Sequence, residues 1–483
     1  MRGSVIGSLL AAGFIAVSSW SCGGSGDQCG PGTVQQGTTC VPRCGAGTAL
    51  AGGACAVAAA ACAQGTVLSE ASHTCVTAQA AFDAAPTPWS ANLQVSPAGM
   101  WGAEPSVAID SQGHLYVAAM IQPTAAAGQT TATLFTSNDE GKTWSTLVAQ
   151  ETKLGGFTGD VSVAVDSADT IYFAYIDYGH TADPVSGYPP GNVWVQASTD
   201  HGATFQAVKV NQDNGSYFCD RPWLHAGPND EMLLSFTYDL GNTQGLPEFH
   251  STDHGASWTF LGDIAQSLSA RRVYTDGQFP TTRTATSYLL PRVTYENYMT
   301  GTPDVYLDLY RTSDFATYHQ TRIAKIFTSR DLTVDTMAVP AVGPKGEVYV
   351  AYINASSRNL DLDFVRSTDD GATFSAPVSM AAVDPAATQA MPWMAVDQTT
   401  GAVNAMYIDN HTGEWMVVGA RSTDGGQTFE LSRVSDKTFV EDSSQTKWLG
   451  DFNAVAVGAG KTCAVWTDTR GGESAIYLSC RQG

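Results

Sequence analysis

The chain has 483 residues, 43% of them apolar and only 14% charged, enough to bury a large core. Forty-six Asp and Glu face 24 Lys and Arg, for a net charge of −22. That balance excludes a phosphate-binding surface and hence nucleic acid, while leaving cations, neutral glycans and basic partners open.

Arg2 precedes an apolar run over 5–17, too short to span a bilayer and suited to the core of a signal peptide, here residues 1–21. The segment Ser19-Trp20-Ser21-Cys22 resembles a bacterial lipobox, with Ser19 where Leu or Val is usual. The resemblance implies a lipid on Cys22, a mature chain starting there, and a place at the outer membrane or cell surface. Simple secretion is the alternative.

Ten cysteines agree with export. Six of them fall into three similar Gly-rich units over 22–75, so the simplest pairing is Cys29–Cys40, Cys44–Cys55 and Cys62–Cys75, with other pairings open. No CxxC spacing occurs, which argues against zinc. Residues 76–90 read as a linker.

From residue 91 short alternating apolar runs are separated by Gly, Asp and Asn turns, a β signature. Five copies of Ser-x-Asp-x-Gly-x-Thr/Ser-aromatic begin at 137, 198, 251, 367 and 422. A decayed copy, 312–318, fills the wide gap and lacks the glycine. First strands are expected at 105–110, 161–166, 222–225, 337–342, 392–397 and 452–457, each followed by a second strand and by a third that leads into the turn. Recurrence at this interval predicts an all-β propeller over 91–483, preceded by the small disulfide-rich segment. Seven blades are expected, or six if two units merge. The last unit lacks an outer strand, which residues 91–95 would supply, closing the ring. Cys463 and Cys480 flank the Gly471-Gly472 hairpin and are placed to pair across strands. Cys219 is left over as a small buried residue.

The repeated turn resembles the Asp-box (BNR) motif of the sialidase superfamily, a likeness covering roughly 90–483. It implies that Asp139, Asp200, Asp253, Asp369 and Asp424 are turn scaffold, away from the working face. Sialidases of that family use an arginine triad, a Tyr–Glu pair and a Phe/Tyr-Arg-Ile-Pro motif. Only Arg2, Arg43 and Arg221 precede the third box, and that motif is absent, so sialidase chemistry is not expected.

Chemistry is expected where acids recur at the starts of first strands, at Glu104, Asp160, Asp220, Asp335 and Asp451, and after second strands, at Asp177, Asp409 and Asp468. In a propeller both sets open on one face. Each acid could merely cap its own turn. Crowded around an axis, they would instead take up protons or hold a cation, and Asp160, Asp220, Asp335 and Asp451 are the calcium candidates. Asp160 and Asp220 are also the catalytic candidates, as paired carboxylates flanking a glycosidic bond. Tyr178, His180 and Tyr298 in the loops suit sugar contacts, and Arg221 and Arg470 suit an anion or substrate clamp. Trp223, Trp393 and Trp448 are taken as core residues. The expected function is an exported, surface-anchored, glycan-binding propeller; a glycoside hydrolase with paired carboxylates is the alternative.

Overall fold

The computed structural model describes residues 85–483 apart from 125–127, 183–188, 212–216, 240–243, 265–272, 275–279, 297–303, 329–336, 356–359, 381–385 and 443. Of residues 1–84 it describes six short strands and Gln79, Phe82 and Asp83. The chain divides into two units, residues 1–84 and residues 85–483.

The first unit holds three hairpins: Thr33–Gln36 with Thr39–Pro42, Thr48–Ala51 with Ala54–Val57, and Thr66–Leu68 with Cys75–Thr77. One hairpin falls in each Gly-rich cysteine unit. Cys75 is disulfide-bonded. The side chains of Cys29, Cys40, Cys44, Cys55 and Cys62, and all of Cys22, lie outside the described residues.

The second unit is a seven-bladed propeller, as its sequence period requires. Blade 1 is Trp101–Ile109, Leu115–Gln122, Thr131–Ser137 and Ser145–Gln150, hydrogen-bonded in that order. Blade 2 is Gly155–Val165, Ile171–Gly179, Gly191–Ser198 and Gln206–Lys209. Blade 3 is Phe218–Ala226, Met232–Asp239, Pro247–Ser251 and Thr259–Asp263. Blade 4 splits its inner strand into Val273–Tyr274 and Thr282–Arg283, followed by Tyr288–Glu296, Asp304–Thr312 and His319–Thr328. Blade 5 is Ala338–Val342, Val348–Asn354, Asp361–Ser367 and Val378–Ser379. Blade 6 is Gln389–Val396, Val403–Asp409, Met416–Ser422 and Glu430–Arg433. Blade 7 is Ala454–Gly458, Lys461–Asp468 and Ala475–Gln482, completed by Leu93–Gln94 from the start of the unit. The six-blade alternative is thereby excluded.

The repeated turn joins the third and outer strands, and its hydrogen bonds are copied from blade to blade. In blade 1 Ser137 Oγ donates to Asp139 Oδ1 at 2.8 Å and accepts the Gly141 N–H at 2.9 Å. Asp139 then accepts the Thr143 N–H and hydroxyl at 2.8 and 2.6 Å. Asp200, Asp253, Asp369 and Asp424 repeat these contacts. The turn also spaces the blades. Trp144 packs in the cluster holding Leu478 of blade 7, Phe205 in that holding Leu134 of blade 1, and Trp258 in that holding Val195 of blade 2. In two turns the residue before the glycine reaches back too: His254 Nδ1 lies 3.2 Å from Asp166 of blade 2, and Asp370 accepts the Ser287 hydroxyl of blade 4 at 2.5 Å. In blade 4 Phe315, with φ 55°, stands in for the missing glycine, and Asp314 still accepts the Thr317 N–H at 2.9 Å.

Ring closure uses more than one strand. The Trp89 indole lies under Gly419 of blade 6 and donates to Ser432 Oγ at 3.0 Å, and Asn92 Nδ2 donates to Val434 O at 2.8 Å. The Ser90 N–H then bonds Cys480 O in blade 7 at 2.8 Å. Cys463 and Cys480 are directly opposed and disulfide-bonded. Cys219 is buried, and its thiol donates to Gly191 O at 3.4 Å. Among the described residues no helix is long and apolar enough to cross a membrane.

Candidate functional site

Four inner strands carry a β-bulge near their start, marked by register shifts at Ala103/Ser106, Gly159/Ser162, Asp220/Trp223 and Ala390/Trp393. The first bulged residue has a left-handed backbone in each: Glu104 (φ 57°), Asp160 (47°), Arg221 (49°) and Met391 (51°). In three of the four a proline follows, whose missing N–H suits a position outside the ladder. The bulge turns that side chain out of the blade, and the side chains of blades 1, 2 and 3 meet Asp451 of blade 7 at the hub.

Arg221 Nη2 pairs with Asp451 Oδ2 at 2.5 Å, and the Arg221 N–H donates to Asp160 Oδ2 at 3.3 Å. The Asp451 N–H donates to Glu104 Oε1 at 3.0 Å. Glu104 is 3% exposed, and its pKa is held well above the usual carboxyl range, first by burial and then by the charges of Asp160 and Asp451. The cluster therefore sets a buried carboxyl of raised pKa beside two half-buried aspartates and one guanidinium. Glu441, on the segment leading into blade 7, is also raised, first by partial desolvation of its carboxyl and then by the charges of Asp451 and Asp442.

Beneath the charges lies an aromatic floor. Trp223 of blade 3 meets Trp393 of blade 6 and Phe452 of blade 7, each with ring centroids 4.8 Å apart. Blades 1 and 2 have Ser106 and Ser162 in the place of the tryptophans, and these hydroxyls accept the Val163 and Leu224 N–H groups of the next blade. Small residues on one side leave room for the large rings from the other.

The structure distributes the expected site residues unevenly. Glu104, Asp160, Arg221 and Asp451 come together. Asp220 does not hold the hub position; Arg221 does, because the bulge shifts the register by one residue. Asp220 stays close enough to raise the buried Tyr178 hydroxyl, after burial itself and Asp160. Tyr178 is not a loop residue: the second strand of blade 2 runs through it to Gly179, and it is stacked between Phe157 and Phe218. Its hydroxyl donates to Asp160 at 2.5 Å, so it positions that carboxylate from below.

The second set of acids caps loops. Asp177 accepts the Thr152 hydroxyl and the Lys153 N–H at 2.6 and 3.1 Å. Asp409 accepts the His411 N–H and Gln389 Nε2, both at 2.8 Å, and also pairs with the His411 ring. Asp468 accepts the Trp466 indole, the Arg470 N–H and the Arg470 guanidinium. Arg470 also reaches Asp436 and Asn92, so it fastens the ring closure. His180 is exposed. Tyr298 and Asp335 lie outside the described residues.

Of the four calcium candidates, Asp160 and Asp451 are contacted by Arg221, Asp220 is displaced from the hub, and Asp335 lies outside the described residues. Among the described residues no group of three or more His, Cys, Asp or Glu side chains is arranged to hold a metal ion.

Sequence reasoning missed Met391 and Glu441; Trp448, taken as a core residue, is partly buried and packs against Trp101, Ala103 and Met120. The prolines were the signal for the register: aligning Glu104-Pro105, Arg221-Pro222 and Met391-Pro392 puts Arg221, not Asp220, beside Glu104.

No family model matches the chain, and no curated protein matches it in sequence. Solved structures similar in fold include a protein of unknown function from Dyadobacter fermentans, at 13% identity and TM-score 0.49, covering 82% of this chain and 99% of that one. An α-L-arabinanase of Penicillium chrysogenum covers the same shares at 13% identity and TM-score 0.45. A Trypanosoma rangeli sialidase, at 10% identity and TM-score 0.45, covers 81% of this chain and 57% of that one. At these values the likenesses carry nothing about chemistry.

Proposed function

We propose that this is an exported, glycan-binding propeller whose ligand sits at the hub and which does not perform sialidase chemistry. The observation that carries the reading is the gathering of Glu104, Asp160, Arg221 and Asp451 over an aromatic floor. Carboxylates that accept hydroxyl protons beside aromatic surface suit a sugar. Arg221, the one guanidinium among these hub residues, is engaged by Asp451, which removes it from the role an arginine plays on a sugar carboxylate. Retention at the cell surface through a lipid on Cys22 is part of the proposal, supported by the apolar run and the Ser19–Cys22 segment. Fatty-acid labelling that is lost in Cys22→Ser is the expected result; unlabelled wild type removes the anchor.

One observation favours a second reading, hydrolysis. Glu104 is buried within hydrogen-bond reach of Asp451, and burial with the charges of Asp160 and Asp451 raises its pKa, an arrangement that suits a general acid next to a carboxylate base or nucleophile. A panel of chromogenic glycosides decides between the two. Turnover that falls at least ~100-fold in Glu104→Gln supports catalysis. Glycan binding without turnover leaves the binding protein, and neither binding nor turnover removes the glycan reading.

A further inference from the structure

We infer that Trp448 is the stacking platform for a neutral sugar ring at the lip of the hub, which rests on the glycan reading above and names the ligand class. The segment between the outer strand of blade 6 and the inner strand of blade 7 reaches across to blade 1. There the Trp448 ring lies parallel to Trp101, with centroids 6.0 Å apart and 7° between planes. Trp101 is 2% exposed and fixed in the core, whereas Trp448 keeps part of its surface in water. Ser474 Oγ donates to the Trp448 carbonyl at 2.6 Å, which holds the segment still.

Both indoles are tied to the acids. Glu104 follows Trp101 by three residues, and Asp451 follows Trp448 by three. Between them Gly450 (φ 78°) lies so close that a Cβ there would be 2.6 Å from Glu104 Cγ. The platform and the carboxylates thus form one rigid edge. A sugar presents a C–H face and a rim of hydroxyls, and this edge offers a flat π surface beside hydrogen-bond acceptors, the complement of both. The charges set the class. Asp160, Asp451 and Glu441 lie around the edge, and the Arg221 guanidinium is taken by Asp451. Lys447, the residue before Trp448, lies 3.9 Å from Asp442. A uronate or sialate would bring another negative charge into a field whose nearby cations among the described residues, Arg221 and Lys447, already face Asp451 and Asp442, so the site selects uncharged sugars.

The test is titration calorimetry of the full chain with neutral oligosaccharides of glucose, galactose, mannose, xylose and arabinose, and with uronate- or sialic-acid-terminated counterparts. Wild type should bind a neutral member, Trp448→Ala should weaken it at least tenfold at an unchanged melting temperature, and Trp448→Phe should keep most of the affinity. Equal affinity in Trp448→Ala overturns the platform while leaving the glycan reading intact. Tighter binding of acidic than of neutral sugars overturns the charge selection. Binding to no sugar in either set overturns the inference together with the reading beneath it. If Trp448→Ala unfolds, protection of Trp448 from oxidation by the bound sugar replaces it, and unprotected Trp448 counts against the platform.

Discussion

A methyl group added at Gly426 would lie 2.0 Å from Phe364 Cε1 of the preceding blade, on a backbone with φ 80°. Two constraints fall on one atom there, left-handed backbone and close approach, and only glycine meets both. Gly472 has φ 99° but nothing within 4 Å, so it carries the first constraint alone. Gly426→Ala should therefore cost about 2–4 kcal/mol in urea unfolding and Gly472→Ala about 1 kcal/mol. Equal losses would show that the blade contact contributes nothing. The same pairing of local and neighbour demands explains what could be read along the chain. Asp139, Asp200, Asp369 and their kin bond within eight residues, so their role was visible in a window of that length. Arg221 pairs with a residue 230 positions away, and no window reveals that.

At the scale of elements, the alternation of apolar residues and the recurring turn were enough to count blades and to foresee that residues 91–95 would complete the last one. They were not enough for the inner strands. Those were expected to start at 105 and 161 but start at Trp101 and Gly155, because the bulge interrupts the period of two. Tyr178, expected in a loop, lies instead in a buried strand position, where the second strand runs on past Asp177 opposite the lengthened inner strand. The closing strand itself is only two residues long, so its hold depends on Trp89, Asn92 and the Cys463–Cys480 disulfide nearby. Trp89→Ala should lower stability by about 3–5 kcal/mol. Reducing the disulfide, which closes a span of 17 residues, should cost about 3 kcal/mol. Both are measurable by thermal unfolding with and without reductant. A Trp89→Ala protein that melts like wild type would mean that Leu93–Gln94 closes the ring unaided.

For the whole molecule, acidity acts through the repeats together. Hydrogen bonds from the turn hold Asp139, Asp200 and Asp369 at about 2, below the ordinary 3.8, and lower Asp253, Asp314 and Asp424 as well. A depressed carboxyl stabilises the fold above its unfolded value and ceases to do so as pH falls through its folded value. Stability should thus be intact above about pH 4 and fall steeply toward pH 2, in every blade that carries the turn. Asp139→Asn, which starts without that contribution in blade 1, should show a shallower acid limb in a pH series of melting curves. An identical limb would separate the turns from acid stability.

The tryptophan floor has a consequence for traffic. Blades 3 and 6 stand nearly opposite in a ring of seven, so the contact between Trp223 and Trp393 crosses the axis itself. A polymer cannot thread past that contact. If the proposed glycan sits at the hub, this floor makes the hub a dead-end socket, and what reaches Asp451 would be a chain terminus, a side branch or a sharply bent stretch, leaving by the route it came in.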